Sequence, residues 1–442
     1  MLKEEELLQI LGEWNFWKNG RETGIRRAGY VEKLARHTEK AKEVIDIVGI
    51  RRSGKSTIMK QMIARLISSG VDAKRTLYVN FDEEQFSGLL SLELLRKLYE
   101  TYRKYINREE GCFIFLDEIQ NVPEWERWVA SMYEKHADKV RMFVSGSSSK
   151  LLSSELSSLL SGRHMTFVVT PLSFSEFLMF RGVEIKDMKD ALLDIERMRG
   201  LFHDYMENGG FPEAVLREDN VQLLKQYFND IIFRDIVERY KVREVNTVKS
   251  IAIYLLENTS KYFTFNKLKN IIPAAPSIET VIKFVDYIES SFLIFTTKLF
   301  SYKTKDQMRY PRKVYAADTG MRNAVCFRTR QNFGQLAETI VAVELRKRFA
   351  DSEIYYWRGT GDREVDFVIK RGTGIECLVQ VCWDISDEKT KEREVRAMLD
   401  ALKEFRLGRG LVLTESVDAE EIFGAKKIRY MPLWKWLLFG ET

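Results

Sequence analysis

The chain has 442 residues, a length that predicts two or three folded domains. Because 45% of the residues are hydrophobic and 31% are charged, the composition excludes an intrinsically disordered chain. Its net charge of +5 is compatible with a nucleic-acid partner but does not require one. The four cysteines form no C-x-x-C pair and there are only four histidines, which argues against a zinc cluster.

The chain begins with an acidic segment and amphipathic helical spacing up to about Lys42. The acidic start does not predict a signal peptide, and no apolar run reaches the length of a transmembrane helix. Because the cysteines suit a reducing compartment, we expect a cytoplasmic protein with no membrane partner.

From Glu43 to about Phe177, strand and helix patterns alternate. The predicted strands are Val44–Val48, Thr76–Phe81, Cys112–Leu116, Val140–Ser145 and Thr166–Thr170. Helical patterns lie between them, so this part of the chain predicts a parallel sheet with helices on both faces.

A phosphate-binding loop follows the first strand. The segment matches G-x-x-x-x-G-K-[ST] and precedes a helical pattern. Its glycines let backbone N–H groups turn towards phosphate oxygens, and the helix adds the positive end of its dipole. Lys55 would contact the β- and γ-phosphates, and the Ser56 hydroxyl would coordinate Mg²⁺. The predicted nucleotide-binding residues are Gly49, Ile50, Arg51, Arg52, Ser53, Gly54, Lys55, Ser56 and Thr57.

The third strand ends in an acidic pair, Asp117 and Glu118, which has the Walker B form. Asp117 would help to hold Mg²⁺, and Glu118 would polarise the attacking water. Such a pair favours a nucleotide hydrolase over a kinase or a GTPase, and the base-reading motif N-K-x-D is absent. The predicted cofactors are therefore ATP and Mg²⁺. The alternative, a glycine-rich turn and an ordinary solvated acid, does not explain both motifs together.

Two further candidates follow the fourth strand. Ser147, or as second choice Ser145, would sense the γ-phosphate or the attacking water; the alternative is a serine-rich loop that caps the helix from Lys150. Arg163 would act as an arginine finger in the site of a neighbouring copy, which implies a homo-oligomer. Its alternative role is to bind a helix C-terminus or the edge of its own sheet.

The region from Ser173 to about Arg243 is helical, with a break at 208–212, and is followed by a pattern of three helices and two strands. This second pattern predicts a winged helix with a basic wing and interleaved Tyr302 and Tyr310. The candidate DNA contacts are Lys283, Lys298, Lys303, Lys305, Arg309, Arg312 and Lys313. Glu279 and Asp286 on the third helix argue against base reading, and a winged helix used for packing or oligomerisation stays open.

The C-terminal part has the strand pattern of a restriction-endonuclease-like fold. Asp366 fits the first acid of such a site, but Gln380 and Cys382 stand where a charged metal ligand and a lysine are needed. The sequence therefore predicts a degenerate nuclease site at Glu338, Asp366, Glu376 and Gln380. The alternative is a metal site rebuilt from Glu338, Asp366 and Glu376.

The chain resembles a family of archaeal and bacterial AAA-superfamily ATPases. The matching segments are 49–57, 115–120, 145–149, 161–163, 171–177, 209–213, 315–320 and 334–338, so the likeness covers nearly the whole chain. The resemblance implies ATP binding and hydrolysis, a winged-helix module and a restriction-endonuclease-like module.

Together these patterns predict an α/β protein built on a parallel P-loop core of the AAA type. Its expected parts are the core with N-terminal helices (1–186), a helical lid (187–244), a winged helix (245–330) and a nuclease-like α/β domain (331–442). The leading hypothesis is a Mg²⁺-dependent ATP hydrolase coupled to DNA. The alternatives are a nucleotide-gated switch that binds a protein partner, and an ATP-dependent nuclease.

Overall fold

The computed structural model describes residues 2–18, 20–108, 111–148, 160, 162–272, 277–327 and 333–440. The predicted helix from Lys150, Ser149 and Ser161 of the matched motifs, the linker 273–276 and the expected boundary at 330 lie outside these residues. The chain divides into two compact units, Met1–Val169 and Thr170–Thr442. Among the residues that the structure describes, no helix is long and apolar enough to cross a bilayer.

The first unit contains a five-stranded sheet in the order β2-β3-β4-β1-β5, in which the described pairs are all parallel. The strands are β1 (Val44–Val48), β2 (Thr76–Asn80), β3 (Cys112–Asp117), β4 (Val140–Gly146) and β5 (His164–Val168). The helices are α1 (Glu4–Trp14), α2 (Ala28–Lys40), α3 (Lys55–Ser68), α4 (Leu92–Tyr105) and α5 (Trp125–His136). Apolar residues of α2, α3 and the central strands form a buried cluster. Continuous apolar strands of this kind are typical of parallel sheets covered on both faces.

The N-terminal segment protects the edge strand β2. The Asn15 side-chain amide donates to the Tyr78 carbonyl (2.8 Å) and accepts from the Tyr78 N–H (2.7 Å), in the manner of a neighbouring strand. The Trp17 indole N–H donates to the Thr76 carbonyl at 2.7 Å. These contacts satisfy backbone groups that would otherwise invite pairing with another chain.

Strand β5 begins two residues before its predicted start, at His164. The His164 Nδ1 atom lies 2.9 Å from the Asp46 Oδ2 atom, and the Thr166 hydroxyl donates to the same oxygen at 3.1 Å. Burial raises the pKa of Asp46, while the bond with Asp46 raises the pKa of His164. A polar residue therefore starts this strand because it pairs with a buried acid on β1, which an apolar pattern does not reveal.

The helices of the second unit, between which its strands are interspersed, are α6 (Phe174–Phe180), α7 (Met188–Leu193), α8 (Ile195–Asn208), α9 (Pro212–Val215), α10 (Asn220–Asp230), a π-helical segment (Ile231–Glu238), α11 (Val245–Glu257), α12 (Phe265–Ile271), α13 (Ile278–Ser290), α14 (Thr304–Arg309), α15 (Thr319–Val325), α16 (Phe333–Arg348), α17 (Glu388–Glu404) and α18 (Leu433–Phe439). Its strands are β6 (Tyr262–Phe263), β7 (Ile294–Leu299), β8 (Arg312–Ala316), β9 (Glu353–Arg358), β10 (Glu364–Arg371), β11 (Gly374–Val381), β12 (Arg409–Thr414), β13 (Ala419–Phe423) and β14 (Lys426–Pro432).

The described strands of the second unit form one mixed sheet of nine, in the order β13-β14-β12-β11-β10-β9-β7-β8-β6. The junction is a parallel pairing of β7 with β9, where Lys298 lies opposite Tyr355 and Leu299 opposite Tyr356. The Phe300 N–H extends it by donating to the Tyr356 carbonyl at 2.7 Å. Strands from the predicted winged-helix and nuclease-like regions therefore share a sheet.

A buried acid joins the break after α8 to the start of α15. The Asp318 carboxylate accepts the Gly210 N–H at 2.7 Å and the Met321 N–H at 2.8 Å. Burial outweighs these bonds and raises the pKa of Asp318 to about 6. Gly210 and Asp318 belong to two separate segments, 209–213 and 315–320, of the family resemblance. In the structure these two segments contact each other.

The predicted α/β fold with a parallel core is confirmed. The first four strands lie within two residues of their predicted bounds, and the helical break at 208–212 falls between α8 and α9. The sequence did not indicate the π-helical segment, α14 or the pairing of β7 with β9. These features depend on packing and on contacts that are distant in sequence.

We expect Asp318→Ala to lower the free energy of unfolding by roughly 2–4 kcal/mol, because it leaves buried N–H groups without an acceptor. Asp318→Asn keeps one acceptor oxygen and should cost less. Denaturant titration of both variants measures the difference, and equal, negligible losses would contradict it.

The parent and Asp318→Asn together test the pKa of Asp318. Since folding raises the pKa of Asp318 from 3.8 to about 6, the folded state holds the proton more tightly. The stabilising contribution is full below pH 3.8 and is lost as the pH rises through 6. The unfolding free energy of the parent minus that of Asp318→Asn should therefore decrease as the pH rises from 3.8 to about 6. A difference that does not change with pH would contradict the shift in pKa.

Candidate phosphate site and carboxylate cluster

The loop after β1 is shaped by two glycines with positive φ, Gly49 at +149° and Gly54 at +96°. A Cβ atom on Gly49 would lie 2.1 Å from the Val169 carbonyl oxygen, so a side chain has no room there. Ser53 is buried in this loop, and its hydroxyl is a buried polar atom without a hydrogen-bond partner. A tight loop with such a group fits a bound phosphate.

Lys55 folds back over the loop from the first turn of α3. Its Nζ atom donates to the Gly49 carbonyl at 3.0 Å and to the Ile50 carbonyl at 3.3 Å. Arg27 also contacts the loop, since its Nη1 atom donates to the Ser53 carbonyl at 2.8 Å. Ser56 and Thr57 are half-buried in the same turn, and of the two loop arginines Arg51 is half-buried and Arg52 is exposed.

Strands β3 and β4 bring an acid and a serine to the same edge of the sheet as this loop. Ser145 pairs in register with Ile47 of β1, one residue before the strand leads into the loop. The Ser145 hydroxyl donates to Asp117 Oδ1 and accepts the Glu118 N–H at 3.0 Å. The Tyr78 hydroxyl donates to Asp117 Oδ2 at 2.5 Å, and burial together with Asp117 raises the pKa of Tyr78 well above its usual value. Both Asp117 oxygens are therefore held by neutral hydroxyl donors.

Glu118 adopts a left-handed backbone conformation, with φ of +52°. This conformation is uncommon outside glycine and often marks a functional residue. The Gln120 Nε2 atom donates to Glu118 Oε2 at 2.5 Å. The backbone turn sets the carboxylate at the sheet edge, and Gln120 fixes its direction.

The two remaining ATPase candidates lie at opposite ends of the strands, Ser147 after the end of β4 and Arg163 before the start of β5. Ser147 is buried directly after β4, and the Ser145 hydroxyl bonds to both Asp117 and the Glu118 N–H. Arg163 precedes β5, where its carbonyl accepts the Val44 N–H at 3.0 Å, and its side chain is 53% exposed. The strand β1 separates Val44 from the loop by roughly 13 Å, so Arg163 lies away from its own phosphate site.

The candidate DNA contacts differ in exposure. Lys283, Lys298, Lys303, Lys305 and Arg309 are exposed, and Tyr302 between them is 81% exposed. Arg312 is half-buried with its guanidinium 5.3 Å from the centre of the Phe265 ring. Lys313 is only 3% exposed, which corrects its assignment as a DNA contact.

Lys313 instead lies in a cluster of acids from α16 and β10. Its Nζ atom is 3.0 Å from Glu338 Oε1, 2.6 Å from Glu364 Oε1 and 2.8 Å from Asp366 Oδ1. The Tyr315 hydroxyl also donates to Glu338 Oε1, at 2.8 Å. Burial and the neighbouring Asp366 raise the pKa of Glu338 above its usual value. We call Lys313, Glu338, Glu364 and Asp366 the Lys313 cluster.

Gln380 contacts this cluster, but Glu376 does not join it. The Gln380 Oε1 atom accepts the Asp366 N–H at 2.9 Å, and Nε2 donates to Glu394 at 2.6 Å. Glu376 lies on β11 with its carboxylate 3.1 Å from the Arg371 guanidinium. The alternative site of Glu338, Asp366 and Glu376 is therefore wrong in its third member.

The sequence interpretation missed Tyr78, Glu364 and the role of Lys313. A signal existed for Glu364, because residues two apart on a strand share a face and Glu364 precedes Asp366 by two. The same spacing relates Lys313 to Tyr315. No local signal linked Tyr78 to Asp117, since their contact depends on the pairing of β2 with β3.

Three family models match the chain. An AAA domain matches residues 41–178, a domain of unknown function (DUF8612) matches 199–332, and a further domain of unknown function (DUF4143) matches 333–436. The first match coincides with the β1 loop, Asp117 and Glu118. It supports nucleotide binding and hydrolysis by this fold.

Two relatives match most of the chain. The uncharacterized protein MJ1544 of Methanocaldococcus jannaschii is 31% identical over 405 residues, which are 89% of this chain and 87% of the relative. An uncharacterized protein of Haemophilus influenzae is 28% identical over 377 residues, 84% of this chain and 89% of the relative. Among solved structures, the Walker-type ATPase paby2304 of Pyrococcus abyssi matches with a TM-score of 0.45 and 12% identity, over 68% of this chain and 95% of that one.

Replacing the two serines separately tests which hydroxyl serves the site. We expect Ser145→Ala to slow nucleotide hydrolysis by about tenfold or more, because Asp117 and the Glu118 N–H both lose a partner. Ser147→Ala is the matched control and should have the smaller effect. Steady-state phosphate release measures both rates, and the reverse order would favour Ser147 as the sensor.

Proposed function

Because this chain belongs to the family of AAA-superfamily P-loop ATPases that includes MJ1544, we propose that it is a Mg²⁺-dependent ATP hydrolase whose nucleotide state is coupled to DNA binding. The observation that carries the hydrolase assignment is the Ser145 hydroxyl, which bridges Asp117 and the Glu118 N–H beside the phosphate loop.

Each residue has a defined role in this proposal. The loop N–H groups and Lys55 bind the phosphates, and Ser56 and Asp117 hold Mg²⁺, which neutralises phosphate charge when bound. Glu118 orients and polarises the attacking water. Arg163, exposed at the opposite sheet edge, completes the site of a neighbouring copy in a homo-oligomer.

The coupling to DNA rests on the exposed segment between β7 and β8. It presents Lys303, Lys305 and Arg309 together with the exposed rings of Tyr302 and Tyr310. Cations beside exposed aromatic rings suit phosphate contact and base stacking without sequence reading. ATP dependence and free thiols in the described cysteines fit a cytoplasmic location.

A nucleotide-gated switch that binds a protein partner is the second candidate. The bond from Gln120 to Glu118 Oε2 favours it, because it engages one carboxylate oxygen and leaves only the other to orient a water without rearrangement. Slow turnover that DNA does not change would select the switch over the DNA-coupled hydrolase.

Lys55→Ala should weaken ATP binding by about 100-fold, since the phosphates lose a charge-assisted contact. Nucleotide titration measures this effect, and unchanged affinity would refute the role of Lys55.

Glu118→Gln should keep Mg-ATP bound but slow turnover by about 10²- to 10⁴-fold, because an amide is no general base. Phosphate release measures this effect, and turnover at the parent rate would refute the role of Glu118.

Arg163→Ala should bind ATP normally but hydrolyse it about 10³-fold more slowly if Arg163 acts on a neighbour's phosphate. Mixing this variant with Glu118→Gln should restore turnover, because one kind of mixed interface carries both intact groups. Lys139→Ala, at an exposed cation of the same sheet edge, is the control and should hydrolyse ATP at the parent rate. Absence of rescue at every mixing ratio, with a monomeric mass in ATP, would count against the finger.

DNA coupling is tested by ATP turnover with single-stranded, duplex and branched DNA. We expect stimulation that falls with rising salt and is lost in the triple variant Lys303→Glu, Lys305→Glu, Arg309→Glu. The matched control carries the same charge change at the exposed lysines Lys225, Lys389 and Lys403. If both variants lose stimulation equally, the effect comes from net charge and not from this segment. If DNA does not stimulate the parent, the proposed coupling to DNA is wrong.

A further inference from the structure

The Lys313 cluster lies where a nuclease-like fold would hold a divalent cation. Asp366 on β10, Gln380 on β11 and Glu338 on α16 are the positions that the sequence assigned to a degenerate metal site. Lys313 enters from β8, a strand of the neighbouring part of the same sheet. The cluster therefore combines acids of one region with a cation from another.

The Lys313 ammonium matches the oxygens that face it. An ammonium group has three N–H donors, and its nitrogen lies within 3.0 Å of one oxygen each from Glu338, Glu364 and Asp366. The Lys313 side chain is only 4% exposed. Each donor thus has an acidic acceptor, and the group is screened from water.

The residues do not fit a divalent ion in the same place. Mg²⁺ needs oxygen ligands at about 2.0–2.1 Å, and the oxygens that it would use already contact the ammonium nitrogen. The second Asp366 oxygen accepts the Val381 N–H at 2.9 Å. The Gln380 oxygen accepts the Asp366 N–H at 2.9 Å, so it is also engaged. A metal would have to displace Lys313 and break these bonds.

We propose that Lys313 is the resident cation of this carboxylate cluster, so that the C-terminal α/β region is metal-independent and lacks metal-dependent nuclease activity. In this role the ammonium does two things that a metal ion does elsewhere. It neutralises acids that would otherwise repel one another, and it ties β8 to β10 and α16. Removing the ammonium should leave converging carboxylates that bind a divalent ion.

The test compares Mn²⁺ binding to nucleotide-free parent, Lys313→Ala and the double variant Lys313→Ala, Asp366→Asn. Loss of one partner of a buried ion pair destabilises, so Lys313→Ala should unfold at a lower temperature than the parent. Saturating Mn²⁺ should raise the Tm of Lys313→Ala by about 4 °C or more. It should raise neither the parent's nor the double variant's Tm. An unchanged Tm of folded Lys313→Ala in Mn²⁺ would overturn the proposal.

The parent protein gives a second test that does not depend on the folding of the variant. Calorimetric titration with Mn²⁺ should give the same result for nucleotide-free parent and for Asp366→Asn, because the parent should bind no Mn²⁺ at the Lys313 cluster. DNA incubated with the parent and Mn²⁺ should stay uncut. A Mn²⁺ site in the parent that Asp366→Asn abolishes, or cleavage that this variant abolishes, would show that Lys313 yields to the metal and would overturn the proposal. Failure of ATP hydrolysis would leave both measurements unchanged, so this inference stands apart from the proposed function.

Discussion

A charged side chain that leaves water needs opposite charge or hydrogen-bond donors around it, and this requirement sets the positions of the functional groups in both units. Asp117 meets it through the hydroxyls of Tyr78 and Ser145. Asp318 meets it through backbone N–H groups, which fixes the turn after α8 against α15. Lys313 meets it through three acids. In each case at least one partner comes from a distant element, so these contacts also fix how the elements pack.

The kind of partner separates the two sites. Tyr78 and Ser145 are neutral donors whose hydroxyls rotate, so Asp117 exchanges one hydrogen bond for another at modest cost. The Lys313 cluster is closed by a buried ammonium and the acids that accept its three N–H donors, where loss of the ammonium leaves the acids uncompensated. The first arrangement suits a site that binds and releases a ligand during each cycle. The second suits a permanent connection within the fold.

The sequence is sufficient to predict the nucleotide core because its signals are local. The phosphate loop and the acidic pair each follow a short apolar strand, and parallel pairing then brings them to one sheet edge. The choice between Ser145 and Ser147 is not local, because it depends on which residue lies opposite Ile47. Lys313 is harder still, since it stands in a basic stretch typical of a solvated wing. Its burial goes with contacts to acids on α16 and β10, which are distant from it in the sequence.

The parallel junction of β7 and β9 has a consequence for how this chain is divided. Cutting the chain between residues 327 and 333 would leave β7 on one fragment and β9 on the other, each with a row of unpaired backbone groups. Such exposed edges recruit strands from other molecules, so either fragment alone is prone to aggregate. We therefore expect the two halves of this sheet to unfold together and to need expression as one chain.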